Sequence, residues 1–123
     1  MKNKPTEIAA LTTRMALTKL AAAGALAQKY MGNARFEWQA LAVFLTLANQ
    51  NKSVQMKDLE KCHALSQAAI SRNCARLGDG LTREEPGPGL IKLTEDPLCR
   101  RNKLASLTPK GAEFQAALRE VFA

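Results

Sequence analysis

The chain holds a single histidine, His63, and only three cysteines, Cys62, Cys74 and Cys99. An odd number of widely spaced cysteines builds no disulfide framework, which points to a reducing, cytoplasmic setting. Those four residues also lack the spacing of a zinc site, so no metal and no cofactor is expected. With one imidazole, no Gly-rich phosphate loop and no nucleophile motif, an enzyme is not expected and no catalytic residue is assigned. His63 reads as a partly buried structural residue, and Cys62 and Cys74 as small core residues. Long apolar runs are missing too. Nothing approaches the roughly 20 residues of a membrane span. The opening MKNKPTEIAALTTRMALTKLAAAGALA ends in small residues like a secretory leader, but Arg14 and Lys19 break its apolar run, so secretion is not expected.

Acidic residues are scarce as well. Eleven Asp and Glu stand against eighteen Lys and Arg, a net charge of +7 over 123 residues. Such a balance favours polyanionic partners and says nothing about fold. It is uneven: residues 1–35 carry Lys2, Lys4, Arg14, Lys19, Lys29 and Arg35 against Glu7 alone, a net +5. The length suits one folded unit with a real core. We divide it into a basic arm and long helix over 1–35, expected to dimerise, and a second unit over 36–123.

Residues 1–5 read as an arm, with Lys2 and Lys4 suited to an adjacent minor groove. Pro5 and Glu7 then open a helix to Met31. Its broad apolar face includes Ile8, Leu11 and Met15, more than a small core can bury, and is expected to pack on a second chain. Met31-Gly32-Asn33 stops it. A second helix over 37–49 spaces Trp38, Leu41, Ala42, Leu45 and Ala48 or Leu47 for one buried side. A short helix spans Met56–His63. Ser66 is a good N-cap for a helix from Gln67 to Leu77. Two Pro-Gly pairs make 81–89 a loop. Leu90–Leu93 and Lys103–Leu107 alternate like strands, and TEDPLCRRN between them is too long for a tight hairpin, so a projecting loop is expected. Thr108-Pro109-Lys110-Gly111 opens a last helix to about Phe122.

The segment 67–77 carries an unusual outer face. Ile70, Cys74 and Leu77 recur at i, i+4 and i+7 and face the core, leaving Gln67, Ala68, Ser71 and Arg72 elsewhere. A helix entering the major groove needs close approach, which Ala permits, and base-edge donors and acceptors, which Gln, Ser and Arg supply. Ser66, at the helix N-terminus, suits a phosphate. Arg76, and Arg100, Arg101 and Lys103 from the strand pair, add cations for phosphate or the minor groove, with Glu95 and Asp96 placed to orient the arginines. The element order, four helices, two strands and a helix, is that of a mainly α winged helix-turn-helix with a small β-hairpin wing.

At these residues the chain resembles a known family. Asp58-Leu59-Glu60-Lys61-Cys62-His63-Ala64-Leu65-Ser66-Gln67-Ala68-Ala69-Ile70-Ser71-Arg72, followed by Arg76-Leu77, is similar to the helix-turn-helix of MarR-type winged-helix regulators. Gly89-Leu90-Ile91, Asp96-Pro97, Arg100-Arg101 and Ser106-Leu107-Thr108-Pro109-Lys110-Gly111 follow that family's wing pattern in order, so the resemblance covers about 37–115. It implies a homodimer on a pseudo-palindromic duplex, with the helix from Ser66 in the major groove and Arg101 in the minor groove. The expected function is transcriptional regulation, as a repressor. The chain departs from the pattern in three places. Cys99 replaces an acidic residue that braces the wing arginines, and is the candidate for oxidant sensing. The link Asp79–Gly89 is longer. The sequence ends soon after Thr108, which places pairing on residues 5–31 and a short final helix and leaves no small-molecule effector expected. Two other readings stay open: a plasmid or phage replication or partition factor, and a winged-helix protein-interaction module.

Overall fold

The computed structural model describes residues 5–32, 37–50 and 52–123, apart from the side chains of Pro5 and Arg100. The basic arm with Lys2 and Lys4, and Arg35, lie outside them. Among the described residues five helices and three short strands follow in the order α1 (Pro5–Met31), α2 (Trp38–Gln50), β1 (Val54–Gln55), α3 (Met56–His63), α4 (Gln67–Leu77), β2 (Ile91–Asp96), β3 (Cys99–Leu107) and α5 (Pro109–Phe122). The strands form one antiparallel sheet in the order β1-β3-β2. The mainly α winged helix-turn-helix expected from the sequence is therefore present, with one strand more. Val54 and Gln55 pair with Ala105 and Leu104. Two residues are too few for a period-2 pattern to be read.

The core is built where α1 ends, not where it begins. Ala27, Tyr30 and Met31 are buried, whereas Ile8, Leu11, Met15, Leu17 and Leu20 are more than half exposed. Tyr30 stacks on Phe114 of α5 with ring centroids 4.9 Å apart, and Phe114 stacks on Phe44 of α2 at 4.7 Å. Three aromatic rings in series thus tie the first two helices to the last. Gly32, at φ 76°, supplies the left-handed residue that ends α1.

The buried stripe of α2 differs from the one expected. Ala40, Val43, Phe44 and Leu47 face the core, while Trp38 is 71% exposed and Leu45 is also exposed. Leu41, Ala42 and Ala48 are only half-buried. The helix is apolar almost all round, so its sequence contains two plausible stripes, and tertiary packing selects between them. The other stripe lines a cleft with Leu20, Leu118 and Phe122.

The wing also differs. Instead of a projecting loop, β2 and β3 continue to Asp96 and Cys99, which pair across a two-residue turn of Pro97 and Leu98. The register steps from Glu95↔Lys103 to Asp96↔Cys99, so Arg100, Arg101 and Asn102 form the excess on β3. The sequence looked too long for a hairpin because this excess is absorbed in a bulge, which re-aims the residues it carries. Among the described side chains, Asp96 is bound elsewhere than to an arginine. It is buried, where its Oδ1 accepts from the Leu98 N–H at 2.9 Å and its Oδ2 from Gln55 Nε2 at 3.2 Å.

The link between α4 and β2 closes on itself. Gly80 and Gly87 donate backbone bonds to the carbonyls of Ala75 and Asp79, and Gly89 to that of Gly78. Gly80 sits at φ 103°, and a Cβ there would overlap the Glu85 carbonyl. At the far end, Thr108 Oγ1 accepts from the Gly111 N–H and donates to the Gly89 carbonyl at 2.6 Å. One hydroxyl therefore caps α5 and fixes the root of the wing.

Candidate nucleic-acid interface

Helix α4 is positioned from both ends and from beneath. Ala64 takes a left-handed conformation (φ 50°) and donates its N–H to the Glu60 carbonyl, ending α3. Two residues later Ser66 Oγ accepts the Ala69 N–H at 3.1 Å, starting α4. The connection of Ala64, Leu65 and Ser66 is the short turn of a helix-turn-helix. Beneath, Ile70, Cys74 and Leu77 are buried, as their spacing indicates, and so is Asn73. Asn73 Nδ2 donates to Gln39 Oε1 of α2 and to the Ala69 carbonyl.

At 100° per residue, Ala68, Arg72 and Ala75 oppose that buried side. Ala68 and Arg72 are exposed, as are Ser66, Gln67 and Ser71. The flanks differ. Gln67 and Ser71 line one cleft with Met56, Lys57, Glu60 and Lys61 of α3 and Arg101, Asn102 and Lys103 of the wing. The structure thus brings together four of the residues singled out from sequence, Gln67, Ser71, Arg101 and Lys103. Four cations against one carboxylate make that cleft electropositive, a field suited to phosphate.

Arg72 and Arg76 border a second cleft, on the other flank, with Met31, Ala40 and the link residues Leu81, Glu84 and Glu85. Arg76 is partly covered, and its Nη1 lies 3.9 Å from Glu37 Oε1. It therefore stands apart from the wing cations. The side chain of Arg100 lies outside the description.

Lys57 and Lys61 were not read from the sequence as site residues. They lie four apart on one face of α3, which was the available signal. Their value depends on α3 lying against the wing, a contact that no local pattern reports. Cys62, expected in the core, is exposed; Cys99 is exposed and Cys74 buried. Burial pushes the Cys74 thiol up to about 11. His63 is half-buried with Nε2 in hydrogen-bond contact with Thr46 Oγ1 at 2.9 Å, and the same hydroxyl lies 3.2 Å from the Ala42 carbonyl. Among the described residues no group of three or more His, Cys, Asp or Glu is placed to hold a metal ion, and no helix is long and apolar enough to cross a membrane.

No protein-family model and no curated protein matches the sequence. Solved structures do match the fold. RV1404 from Mycobacterium tuberculosis superposes with a TM-score of 0.65 at 17% identity, over 98% of this chain and 75% of its own. A mutant of MepR from S. aureus, bound to an oligodeoxyribonucleotide, also gives 0.65, at 16% identity over 94% of this chain and 75% of its own. A MarR-family transcriptional regulator from Rhodococcus sp. RHA1 gives 0.57 at 21% identity, over 98% and 76%. At such identities the likeness concerns fold, and it runs through nearly the whole chain. The chain has the winged helix-turn-helix fold of the MarR-type transcriptional regulators.

Proposed function

We propose that the protein binds double-stranded DNA sequence-specifically, as a homodimeric transcriptional regulator that acts as a repressor. One observation carries this reading. An uncovered helix face of Ala68, Arg72, Gln67 and Ser71 stands beside a cleft lined by Lys57, Lys61, Arg101 and Lys103. Seated in the major groove, α4 presents Arg72, Gln67 and Ser71 to base edges, while Ala68 lets the backbone approach. Ser66 accepts from Ala69 and donates its own proton to a phosphate. Lys57, Lys61 and Lys103 neutralise phosphates, and Arg101 reaches from the wing toward the minor groove. The oligonucleotide carried by the MepR structure is in keeping with this reading.

The dimer is proposed from the exposed face of α1. Ile8, Leu11 and Met15 are each more than half exposed in the single chain, and further along the same helix Leu20 lines an apolar cleft with Trp38, Leu45 and Phe122. A second copy packed there removes this surface from water, and its two-fold axis presents two α4 helices to a pseudo-palindromic site. A repressor needs no chemistry, since occupying a promoter excludes polymerase.

Selection of bound duplexes from a random pool tests the reading. The expected product is a motif of two inverted half-sites about one helical turn apart. Arg72→Ala is expected to cost about 1–3 kcal/mol and to relax preference at one position per half-site. Equal loss on selected and scrambled duplexes counts against α4 as the reading helix. Direct repeats in place of inverted ones favour a replication or partition role.

A further inference from the structure

At 95% relative exposure, Leu98 is far more open to solvent than any other large apolar side chain described, Trp38 being next at 71%. It lies at the tip of the wing, in the two-residue turn after Pro97. Its backbone is nevertheless held firmly. The buried carboxylate of Asp96 accepts the Leu98 N–H through Oδ1 and is anchored to Gln55 of β1 through Oδ2. Burying a carboxylate is costly unless its hydrogen bonds are made, and here they fix a turn whose foremost side chain gains nothing from folding. The sequence just beyond the tip is cationic, with Arg100, Arg101 and Lys103, which favours a polyanion over an apolar protein surface.

We propose that Leu98 is a wedge, entering the minor groove of duplex DNA and partly unstacking one base step. The inference rests on the reading of α4 as a major-groove helix. Arg101 and Lys103 share a cleft with Gln67 and Ser71 of that helix. Leu98 stands at the tip of the same wing, in the turn that joins β2 to β3, and Arg101 lies in the bulge behind it. Apolar side chains at such positions insert between steps and kink the duplex. Pyrimidine–purine steps yield most easily, so the wedge confers a preference where no donor or acceptor reads a base.

The test uses the full chain and Leu98→Ala in parallel selections from one random duplex pool. Because Leu98 is 95% exposed, Leu98→Ala keeps the wild-type melting curve. The wild type is expected to enrich a TA or CA step outside the α4 half-site, and Leu98→Ala to lose that enrichment while keeping the half-site. On the selected duplex Leu98→Ala binds about tenfold more weakly. On the same duplex with a stiff AA step in its place, the two proteins agree within about twofold. With 2-aminopurine at the flexible step, fluorescence rises on binding wild type and Leu98→Phe, and stays low with Leu98→Ala. Identical motifs, equal affinities and a silent probe overturn the wedge and leave the α4 reading standing. No enriched motif for the wild type overturns both.

Discussion

Asn73, buried in α4, donates its side-chain amide to Gln39 Oε1 of α2 at 2.9 Å, and so keys α4 to the helix beneath it. The same Nδ2 bonds the Ala69 carbonyl, whereas Asn73 Oδ1 is buried with no partner among the described residues. Asn73→Ala removes both bonds and opens a small cavity. It is expected to cost about 1–3 kcal/mol, and Gln39→Ala, on the exposed side of the bond, less than about 1 kcal/mol. Urea unfolding decides between them, and an unchanged midpoint for Asn73→Ala removes the keying role.

Phe114 is the middle ring of the Tyr30–Phe114–Phe44 stack and fully buried. Truncation to Ala strips contacts from α1, α2 and α5 at once, with an expected loss of about 3–5 kcal/mol in thermal or denaturant unfolding. Phe122, on the same helix but exposed, serves as the control, and Phe122→Ala should leave the monomer's own stability within about 0.5 kcal/mol.

Lys57 and Lys61 separate positioning from reading. Lys57→Gln and Lys61→Gln should each weaken binding to selected and scrambled duplexes alike. Each should lower the slope of log affinity against log salt by about 1. A loss confined to the selected duplex would make these lysines base readers instead.

Dimerisation through α1 is checked with Leu11→Asp combined with Met15→Asp. Both positions are exposed in the single chain, so helix content should persist while sedimentation shifts from dimer to monomer. Affinity for a duplex with two half-sites should fall by at least about a hundredfold, because the second contact ceases to be intramolecular. A variant that still sediments as a dimer places the interface elsewhere.

Cys74 sets a pH limit. Its thiol is raised from 9 to about 11 by burial, so the unfolded chain loses this proton before the folded chain does. That contribution is complete below pH 9 and is lost as pH rises through 11, by about 3 kcal/mol in all. Cys74→Ala should flatten the fall in urea midpoint between pH 9 and 11. Below pH 9, a thiol reagent should modify Cys62 and Cys99 quickly and Cys74 only at the rate of unfolding.

The local sequence determined every helix here to within a residue or so. Helices are specified by neighbours three and four apart, by Pro5 and Gly32 at the ends of α1, and by hydroxyl caps at Ser66 and Thr108. The inward placement of Ile70, Cys74 and Leu77, and hence the bare side of α4, followed from the same periodicity. Tertiary structure alone decided the rest. Helix α2 offers two apolar stripes, and its packing on the other elements, with Phe114 stacked on Phe44, chooses Phe44 over Leu45. A third strand of two residues exists because β3 is there to pair with it, and the Asp96 carboxylate that holds the tight turn is anchored to Gln55, forty-one residues away in sequence. Lys57 joins Arg101 only once α3 and the wing have met. Contacts between distant segments leave no local period, so the sequence carried the residues of this surface without disclosing their arrangement.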